Sequence, residues 1–579
     1  MAQQTRTPAD ESRTGGELLL DTFSRAGVKY ILANVGTDYP AILEAAAKLQ
    51  ANGVQWPRLL VVPHEMVAVS MAHGYAALTG EPQVVFVHTA PGTANASGGI
   101  MNASRSMIPM IIHAGRTPVT EHGMKGSRDL SIHWAQESRD QGGLVREFVK
   151  WDFEIRQSHQ VPEIVMRARK ISLTEPKGPV YIIFPRELTL QQIPTPPTIS
   201  IEKYAPPSPP QADMSALERA ADLLLNARQP MIITKRLGRD TLAVMELIKF
   251  AELLAIPVSG SVADYVNFPN NHPLAIPHPV SDADVVFVID SDLPWIPSRF
   301  KPSESAKVIH LDIDPSYTAY PFWGFPAHLA ITGTSRLALP VLYEFCQRKK
   351  ADLENAVKER RSEIQRIHQQ WRTETIEQAR KASSDYPINP IWLSHCLGRI
   401  KDDNMIIINE YDFDPNQAEF TKPGTYFFES SASCLGWGLG AALGAKLARL
   451  ESTVCATVGD GAYIFGNPTA SHFVAQAYQL PILTIVYNNE NWGAVKNTVL
   501  EYYSEGWCVK TKNFVGSELK PSPRFELVAQ ANGAYGRTIT EPSEIPDALK
   551  ACMEVVGEQK NSALLDVKCK VLDYLPTRR

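Results

Sequence analysis

The sequence predicts an α/β protein made of three successive doubly wound parallel-sheet domains, and three observations predict it. Short continuous apolar runs recur along the chain, each followed by a stretch with helical spacing; a proline-rich segment interrupts this rhythm once, and a highly charged segment interrupts it again. Strands buried on both faces read as unbroken apolar runs, and their alternation with amphipathic helices marks a parallel sheet covered by helices.

The first unit, 12–190, holds VKYILANV, PAILEAAAKLQ, RLLVVPH, EMVAVSMAHGYAALTG, QVVFVHT and MIPMIIHAG in that order, and closes at GPVYIIFP (178–185). IPTPPTIS and APPSPPQ (205–211) come next. Proline lacks the amide hydrogen a sheet ladder needs, so this stretch reads as a linker. The second unit, 205–348, offers PMIITK (230–235), DADVVFVID (282–290) and AKVIHLDIDP (306–315) as buried parallel strands. The span 349–386, with RRSEIQRIHQQW, is too charged for a core and reads as a solvated amphipathic helix leading into a connector. The third unit, 387–571, has strands NMIIIN, STVCATVG, PILTIVYN and SALLDVK.

Composition bounds the function. With 579 residues, 44% of them hydrophobic and 21% charged, the chain is an ordinary globular one. A net charge of −5, from 57 basic and 62 acidic residues, leaves no electrostatic footprint for nucleic acid or an anionic membrane, so neither partner is expected. Seven cysteines without a CxxC pair suggest neither a disulfide framework nor a zinc cluster, and a reducing compartment fits. Met1–Gly16 is polar and lacks the apolar core of a signal peptide, and no apolar run reaches the roughly 18 residues of a membrane span. A cytoplasmic location is expected, with Arg6 and Arg13 among Ser and Thr leaving an organellar one as the alternative.

Two constellations carry chemistry. In TVCATVGDGAYIF (453–465) and PILTIVYNNENWG (481–493), Asp460 stands just past one strand and Asn489 just past the next. Right-handed crossovers open the carboxyl ends of consecutive parallel strands on one crevice. Asp460 offers a hard anionic oxygen and Asn489 a neutral one, while Gly459 and Gly461 leave the backbone open to a phosphate. Mg²⁺ takes oxygen ligands in near-octahedral array and borrows some from phosphates. Gly-Asp-Gly alone is equally an ordinary turn; the Asn pair at the next strand end turns the reading toward a metal.

In LLVVPHEMVAVSMAHGYAALTG, Glu65 stands at a strand end and a helix start, where the helix dipole alone would favour a carboxylate. QVVFVHTAPGTANA (83–96) adds a second strand ending in His88, with a Gly/Thr/Asn-rich loop beyond it. Two polar groups at neighbouring strand ends define a crevice.

Taken together, HE–GYAALTG, HTAPGTAN, GPVYIIFP, VIHLDIDP, LGWGLGAALGAK (435–446) and GDG…NN resemble the thiamine-diphosphate enzymes of the acetolactate synthase, 2-oxo-acid decarboxylase and benzaldehyde lyase group. The resemblance covers nearly the whole chain, in the order pyrimidine-binding, middle and diphosphate-binding domain. It implies thiamine diphosphate and Mg²⁺ as cofactors. It gives Glu65 the role of sharing a proton with a ring nitrogen of the cofactor's aminopyrimidine, the acid–base step that activates the thiazolium carbon. It makes Leu435, otherwise a plain core leucine, the prop for the cofactor's bent shape. Gly459, Asp460, Gly461, Ala462, Asn489 and Trp492 would hold the diphosphate side, with Asp460, Asn489 and Asn491 on the metal. The interval from Asp460 to the Asn pair runs longer than in many relatives, which leaves Asn488 and the carbonyl of Asn491 as alternatives to Asn489, the second Asn of the pair and the usual ligand.

On the substrate side the resemblance points to Asp38 in NVGTDYP, to His88 as a proton-transferring histidine, and to Gln136 in HWAQE, with turn contacts the competing reading for Asp38 and Gln136. Tyr411 and Asp412, and Trp492 with Ala494, would approach from the diphosphate side. The usual Gly-x-Pro-Gly turn is replaced by NVGTDYP, and NEYDFDPN falls where relatives vary. The implied assembly is a homodimer or homotetramer, because the two ends of the cofactor belong to different subunits. The implied reaction is that of a lyase or carboligase acting on a 2-oxo acid, an aldehyde or a 2-hydroxy ketone, with acetolactate synthase proper as a narrower reading. A non-catalytic regulatory relative would be expected to have lost Glu65, Asp460 or Asn489. Nothing in the middle unit asserts or denies bound FAD.

Overall fold

The computed structural model describes residues 12–197, 199–349 and 354–571; residues 1–11 of the polar N-terminal stretch, with Arg6, and residues 350–353 of the connector lie outside them. The chain groups into two compact units. The first runs up to Pro207 and adds Ser430–Leu450 and Phe465–Leu480; the second comprises Ser208–Glu429, Glu451–Ile464 and the chain from Pro481 onward.

The first unit is built on six parallel strands, β1 (Tyr30–Asn34), β2 (Arg58–Val61), β3 (Val84–Val87), β4 (Met110–Arg116), β5 (Asp152–Glu154) and β6 (Pro179–Pro185), in the order β2-β1-β3-β4-β6-β5. Phe23, Ile31, Phe86, Ile111, Ile182 and Phe184 form its core. Helix α1 (Glu65–Thr79) starts just after β2 and ends at Gly80 in the left-handed conformation. The stretch HTAPGTAN, expected as a loop, is instead the start of helix α2 (Thr89–Arg105). Its small residues crowd nothing, and the Gly92 N–H closes the first turn on the His88 carbonyl at 2.7 Å. Helix α3 (Trp437–Ala448) packs against α1 at very short range. A Cβ on Gly74 would stand 2.0 Å from the Ala441 carbonyl oxygen, and one on Gly444 1.9 Å from that of Met71. Part of the proline-rich stretch also does more than link, since Gln192–Pro194 pairs antiparallel with Ser12–Thr14.

The second unit carries two further six-stranded parallel sheets. One has β7 (Pro230–Thr234), β8 (Val258–Ser259), β9 (Ala275–Ile276), β10 (Val285–Ile289), β11 (Lys307–Asp312) and β12 (Leu329–Thr332), in the order β9-β8-β7-β10-β11-β12. The other has β13 (Ile406–Glu410), β14 (Tyr426–Phe428), β15 (Val454–Gly459), β16 (Leu483–Asn488), β17 (Tyr535–Ile539) and β18 (Ala563–Lys568), in the order β14-β13-β15-β16-β18-β17. This third sheet repeats the strand order of the first. The charged segment forms one helix, Glu354–Ala382, that is mostly solvated but buries Ile364, His368 and Ala379. It is pinned by Arg360, whose guanidinium donates to the carbonyls of Leu254 and Ala227.

Open α/β sheets bind ligands outside the carboxyl ends of their strands, where the strand order reverses. That switch point lies between β1 and β3 in the first sheet, β7 and β10 in the second, and β13 and β15 in the third.

Candidate active site

At the first switch point the strand ends deliver four polar groups. Asn34 closes β1, Asp38 follows in the next turn, His88 follows β3, and Glu65 opens α1. The helix does not need Glu65 as its cap, because the His64 ring already accepts the Met66 N–H at 3.2 Å. Glu65 is instead 4% exposed and takes two side-chain amides from other elements: Asn34 Nδ2 donates to Oε1 at 2.9 Å and Asn95 Nδ2 to Oε2 at 3.2 Å. A Cβ on Gly92 would stand 2.9 Å from Glu65 Oε1, so the glycine leaves room for the carboxylate. A buried carboxylate held by two amides has a fixed orientation and stays an acceptor.

Asp38 and His88 form a pair. His88 Nδ1 donates to Asp38 Oδ1 at 2.6 Å, which puts the imidazole proton there and leaves Nε2 as the exchanging atom. Asp38 is buried, and its Oδ2 has no partner among the described residues. Two glycines seat the pair: a Cβ on Gly36 would fall 2.1 Å from His88 Nδ1, and one on Gly115 1.6 Å from Asp38 Oδ2. Beneath them Tyr39, fully buried, donates its hydroxyl to the carbonyls of Val87 and His113. The hydrogen bond to Asp38 holds His88 above the ordinary histidine range against the opposing effect of burial, and Glu65 adds to the rise. Gln136 lies next to the ring, and its side chain adds to the rise of His88. Thr89, the residue after His88, adopts φ 37°, a strained value for a β-branched side chain.

Leu435 is half-buried rather than a core leucine. The backbone beside it is clamped by Asn102 of α2, whose amide donates to the Cys434 carbonyl at 2.8 Å and accepts the Cys434 N–H at 3.1 Å.

At the third switch point Asp460 follows β15 directly. It is 2% exposed; Oδ1 accepts the Gly461 N–H at 3.0 Å, and Oδ2 has no partner among the described residues. Burial, with the nearby charge of Asp412, pushes its carboxyl up to about 7. The Glu490 backbone lies close enough to Asp460 to oppose that rise, which places the 489–491 loop beside it. There Asn489 Oδ1 accepts the Asn491 N–H at 2.9 Å, and Asn491 Oδ1 is buried without a partner among the described residues. Asn488 donates its amide N–H groups to Ser522 Oγ and Asp566 Oδ1 at 2.9 and 2.7 Å, and its Oδ1 accepts the Glu490 N–H at 3.2 Å. A carboxylate oxygen and a carboxamide oxygen, both buried and unpaired, are the hard donors that Mg²⁺ accepts. Asp460, Asn491 and the second lone pair of Asn489 Oδ1 therefore fit such an ion.

Gly461 packs closely against a neighbouring ring. A Cβ there would lie 2.3 Å from the Trp492 ring, so the space beside it holds the indole rather than open backbone. Gly459 faces only Asp412 Oδ2, at 3.7 Å from a Cβ built on it, and Ala462 is buried in the short helix behind Asp460. Tyr411 and Asp412 adopt φ 74° and 70°, and the Phe413 N–H bonds back to the Tyr411 carbonyl at 3.0 Å, closing a tight three-residue turn at the end of β13.

Comparison with known proteins matches these two strand-end sites to one family. The thiamine pyrophosphate enzyme N-terminal TPP binding domain matches residues 13–144, the central domain 217–342 and the C-terminal TPP binding domain 413–567. The chain belongs to the thiamine-pyrophosphate-dependent enzymes. Among relatives in this family it is 28% identical to a probable acetolactate synthase large subunit of Methanococcus aeolicus, over 85% of this chain and 83% of that one. It is 26% identical to acetolactate synthase isozyme 3 large subunit of Escherichia coli K12, over 95% and 94%. Its fold is shared with a Rhodococcus jostii thiamine-diphosphate-dependent 4-hydroxybenzoylformate decarboxylase (TM-score 0.76, 21% identity, 97% of this chain and 100% of that one). It is also shared with benzoylformate decarboxylase from Polynucleobacter necessarius (TM-score 0.77, 20% identity, 97% and 99%). No helix among the described residues is long and apolar enough to cross a membrane.

The sequence named Glu65, His88, Asp38 and Asp460 but missed what holds them. Asn34 and Asn95, which orient Glu65, carried one legible signal each: an Asn closing an apolar strand, and an Asn within HTAPGTAN.

Proposed function

We propose that this thiamine-pyrophosphate-dependent enzyme is a Mg²⁺-dependent lyase that decarboxylates a 2-oxo acid. The observation that supports it is the Asp38–His88 pair, a proton donor seated within electrostatic reach of Glu65. The cofactor supplies a nucleophilic carbon and a sink for the electrons released with CO₂. Glu65, fixed by Asn34 and Asn95, shares a proton with the aminopyrimidine. His88 delivers a proton from Nε2 to the substrate-derived carbon, and Asp38 keeps the ring oriented and charged for that transfer. Asp460, Asn489 and Asn491 would hold Mg²⁺ and with it the diphosphate, and Leu435 would support the bound cofactor. Gln136, beside the His88 ring, is placed to orient the substrate. The active assembly is a homodimer or a tetramer of dimeric form.

A second reading, carboligation as in the acetolactate synthase relatives, has the same first step but ends on an acceptor carbonyl instead of a proton. Product analysis separates the two. With pyruvate and with benzoylformate as probes, thiamine diphosphate and Mg²⁺ present, aldehyde and CO₂ are expected in equal amounts. Acetolactate as the main product from pyruvate would replace decarboxylation by ligation, and no turnover of either probe, nor of other 2-oxo acids and 2-hydroxy ketones, would overturn both.

A further inference from the structure

The second sheet has a switch point of its own, between β7 and β10. By the general rule a dinucleotide would sit outside the strand ends there, its diphosphate on the N–H groups of the turn after the first strand. In this chain each of those places is taken. The Arg236 N–H donates to the Asp290 carbonyl at 2.9 Å, carrying the β7–β10 ladder past the strand ends, so the two strands do not part. In the turn after β7, the Gly238 N–H is spent on Asn267 Oδ1 at 2.8 Å. The same Asn267 amide donates to the carbonyls of Lys235 at 2.8 Å and Gly260 at 2.9 Å, and the residue is fully buried. One carboxamide does there what a diphosphate oxygen would do. Gly260, at φ 81°, brings its loop down until a Cβ would lie 1.9 Å from the Thr234 carbonyl oxygen.

The cations that would greet a diphosphate are neutralised from within. Lys235 Nζ lies 3.1 Å from Asp292 Oδ1, and Asp292 is wholly buried. Arg236 donates to the Tyr317 hydroxyl at 2.7 Å, which in turn donates to Asp312 at 2.7 Å. A flat slot is filled as well. Trp323 stacks on Tyr317 at 5.3 Å and 28°, with the Arg236 guanidinium 5.4 Å over the Tyr317 ring, and the indole N–H donates to the Asp292 carbonyl at 2.6 Å. Two hydroxyls left unpaired, Thr234 and Ser291, are too deep and too few for a diphosphate.

We propose that the chain's own side chains, Asn267, Asp292, Tyr317 and Trp323, close the crevice of the second sheet, so that this enzyme takes no flavin, dinucleotide or adenine-nucleotide thioester there. The FAD question that the sequence leaves open is answered by what fills the space. The proposal stands apart from the decarboxylase reading, since it concerns a different sheet and different readouts.

The test uses the full-length protein. Heat-denatured purified protein should release no flavin or adenine nucleotide measurable by absorbance, and FAD, ADP or coenzyme A should leave the melting temperature of the wild type unchanged, because a ligand of the folded state raises it. Trp323→Ala should melt lower, and added indole should raise that variant toward wild type while leaving wild type unmoved. Asn267→Ala, which takes their partner from the buried Gly238 N–H and the part-buried Gly260 carbonyl, should melt several degrees lower. Stoichiometric nucleotide release, or a concentration-dependent rise of the wild-type melting temperature with any of the three nucleotides, would overturn the proposal. An Asn267→Ala variant as stable as wild type, or a Trp323→Ala variant indifferent to indole, would overturn the filling it rests on.

Discussion

Glu65 is one carboxylate with two amide donors, and its environment says what it can do. Asn34 and Asn95 fix its orientation, one donating to each oxygen, and leave lone pairs on both for a ring nitrogen. Glu65→Gln keeps the size and loses the charge. We expect that variant to bind thiamine diphosphate but to slow hydrogen–deuterium exchange at the thiazolium carbon by at least roughly 10²-fold, the usual worth of acid–base catalysis. Exchange at the wild-type rate would remove Glu65 from that role. His88 makes the second residue-scale case. Its pKa is raised chiefly by the hydrogen bond to Asp38, so the pair stabilises the fold fully below the unfolded histidine value of about 6.5, and that contribution fades as pH rises through the folded value. Asp38→Asn should move the histidine limb of the turnover–pH profile to lower pH. It should also lower the melting temperature more at about pH 6 than at about pH 8. An unshifted profile would assign proton transfer to another group. None of this pairing was legible in the sequence, where Asp38 and His88 lie fifty positions apart and meet only because β1 and β3 are neighbours.

At the scale of elements, the strands that could be read were those buried on both faces. QVVFV, VVFVI and LTIVYN are unbroken apolar runs because helices cover both sides of them. The two-residue strands Val258–Ser259 and Ala275–Ile276 are too short to carry a pattern, and Tyr535–Ile539, half-buried at an edge, lacks an unbroken apolar run. HTAPGTAN reads as a loop because Gly, Pro and Thr disfavour helix locally, yet Pro91 and Gly92 fall in the first turn of α2, where neither interrupts an established ladder. The α1–α3 contact likewise depends on spacing that sequence alone does not reveal. Gly74→Ala would gain roughly 0.5–1 kcal/mol of helix propensity. It would also drive a methyl to 2.0 Å from the Ala441 carbonyl oxygen, and overpacking of that kind costs about 1–3 kcal/mol. The clash wins, and a lower denaturant midpoint is expected; a midpoint at or above wild type would show that α1 and α3 can separate without cost.

For the whole molecule, three sheets present three switch points, and among the described residues those of the first and third carry a buried carboxylate with one oxygen unpaired, Asp38 and Asp460. The metal end is the more dependent on a single group. Asp460 offers the carboxylate, and without it the diphosphate would lose the ion that offsets its charge. Asp460→Ala should therefore weaken calorimetrically measured thiamine diphosphate binding in the presence of Mg²⁺, and Asn489→Ala should do so less. Equal affinities for wild type and Asp460→Ala would refute the metal site.

Each sheet also holds a non-glycine residue at positive φ beside its switch point: Thr89 in the first, Asp290 in the second, and Tyr411 with Asp412 in the third. A glycine at such a position relieves about 1 kcal/mol or more of backbone strain. Anyone breeding a heat-tolerant form of this protein by selecting for survival alone would find these positions early. At Asp290 the change would also remove the carboxylate that accepts the Ser335 hydroxyl at 2.6 Å, which offsets part of the gain. At Thr89 and at Tyr411–Asp412 it would loosen the backbone that aims His88 and faces Asp460, so the hardiest descendants of such a selection would include the slowest catalysts.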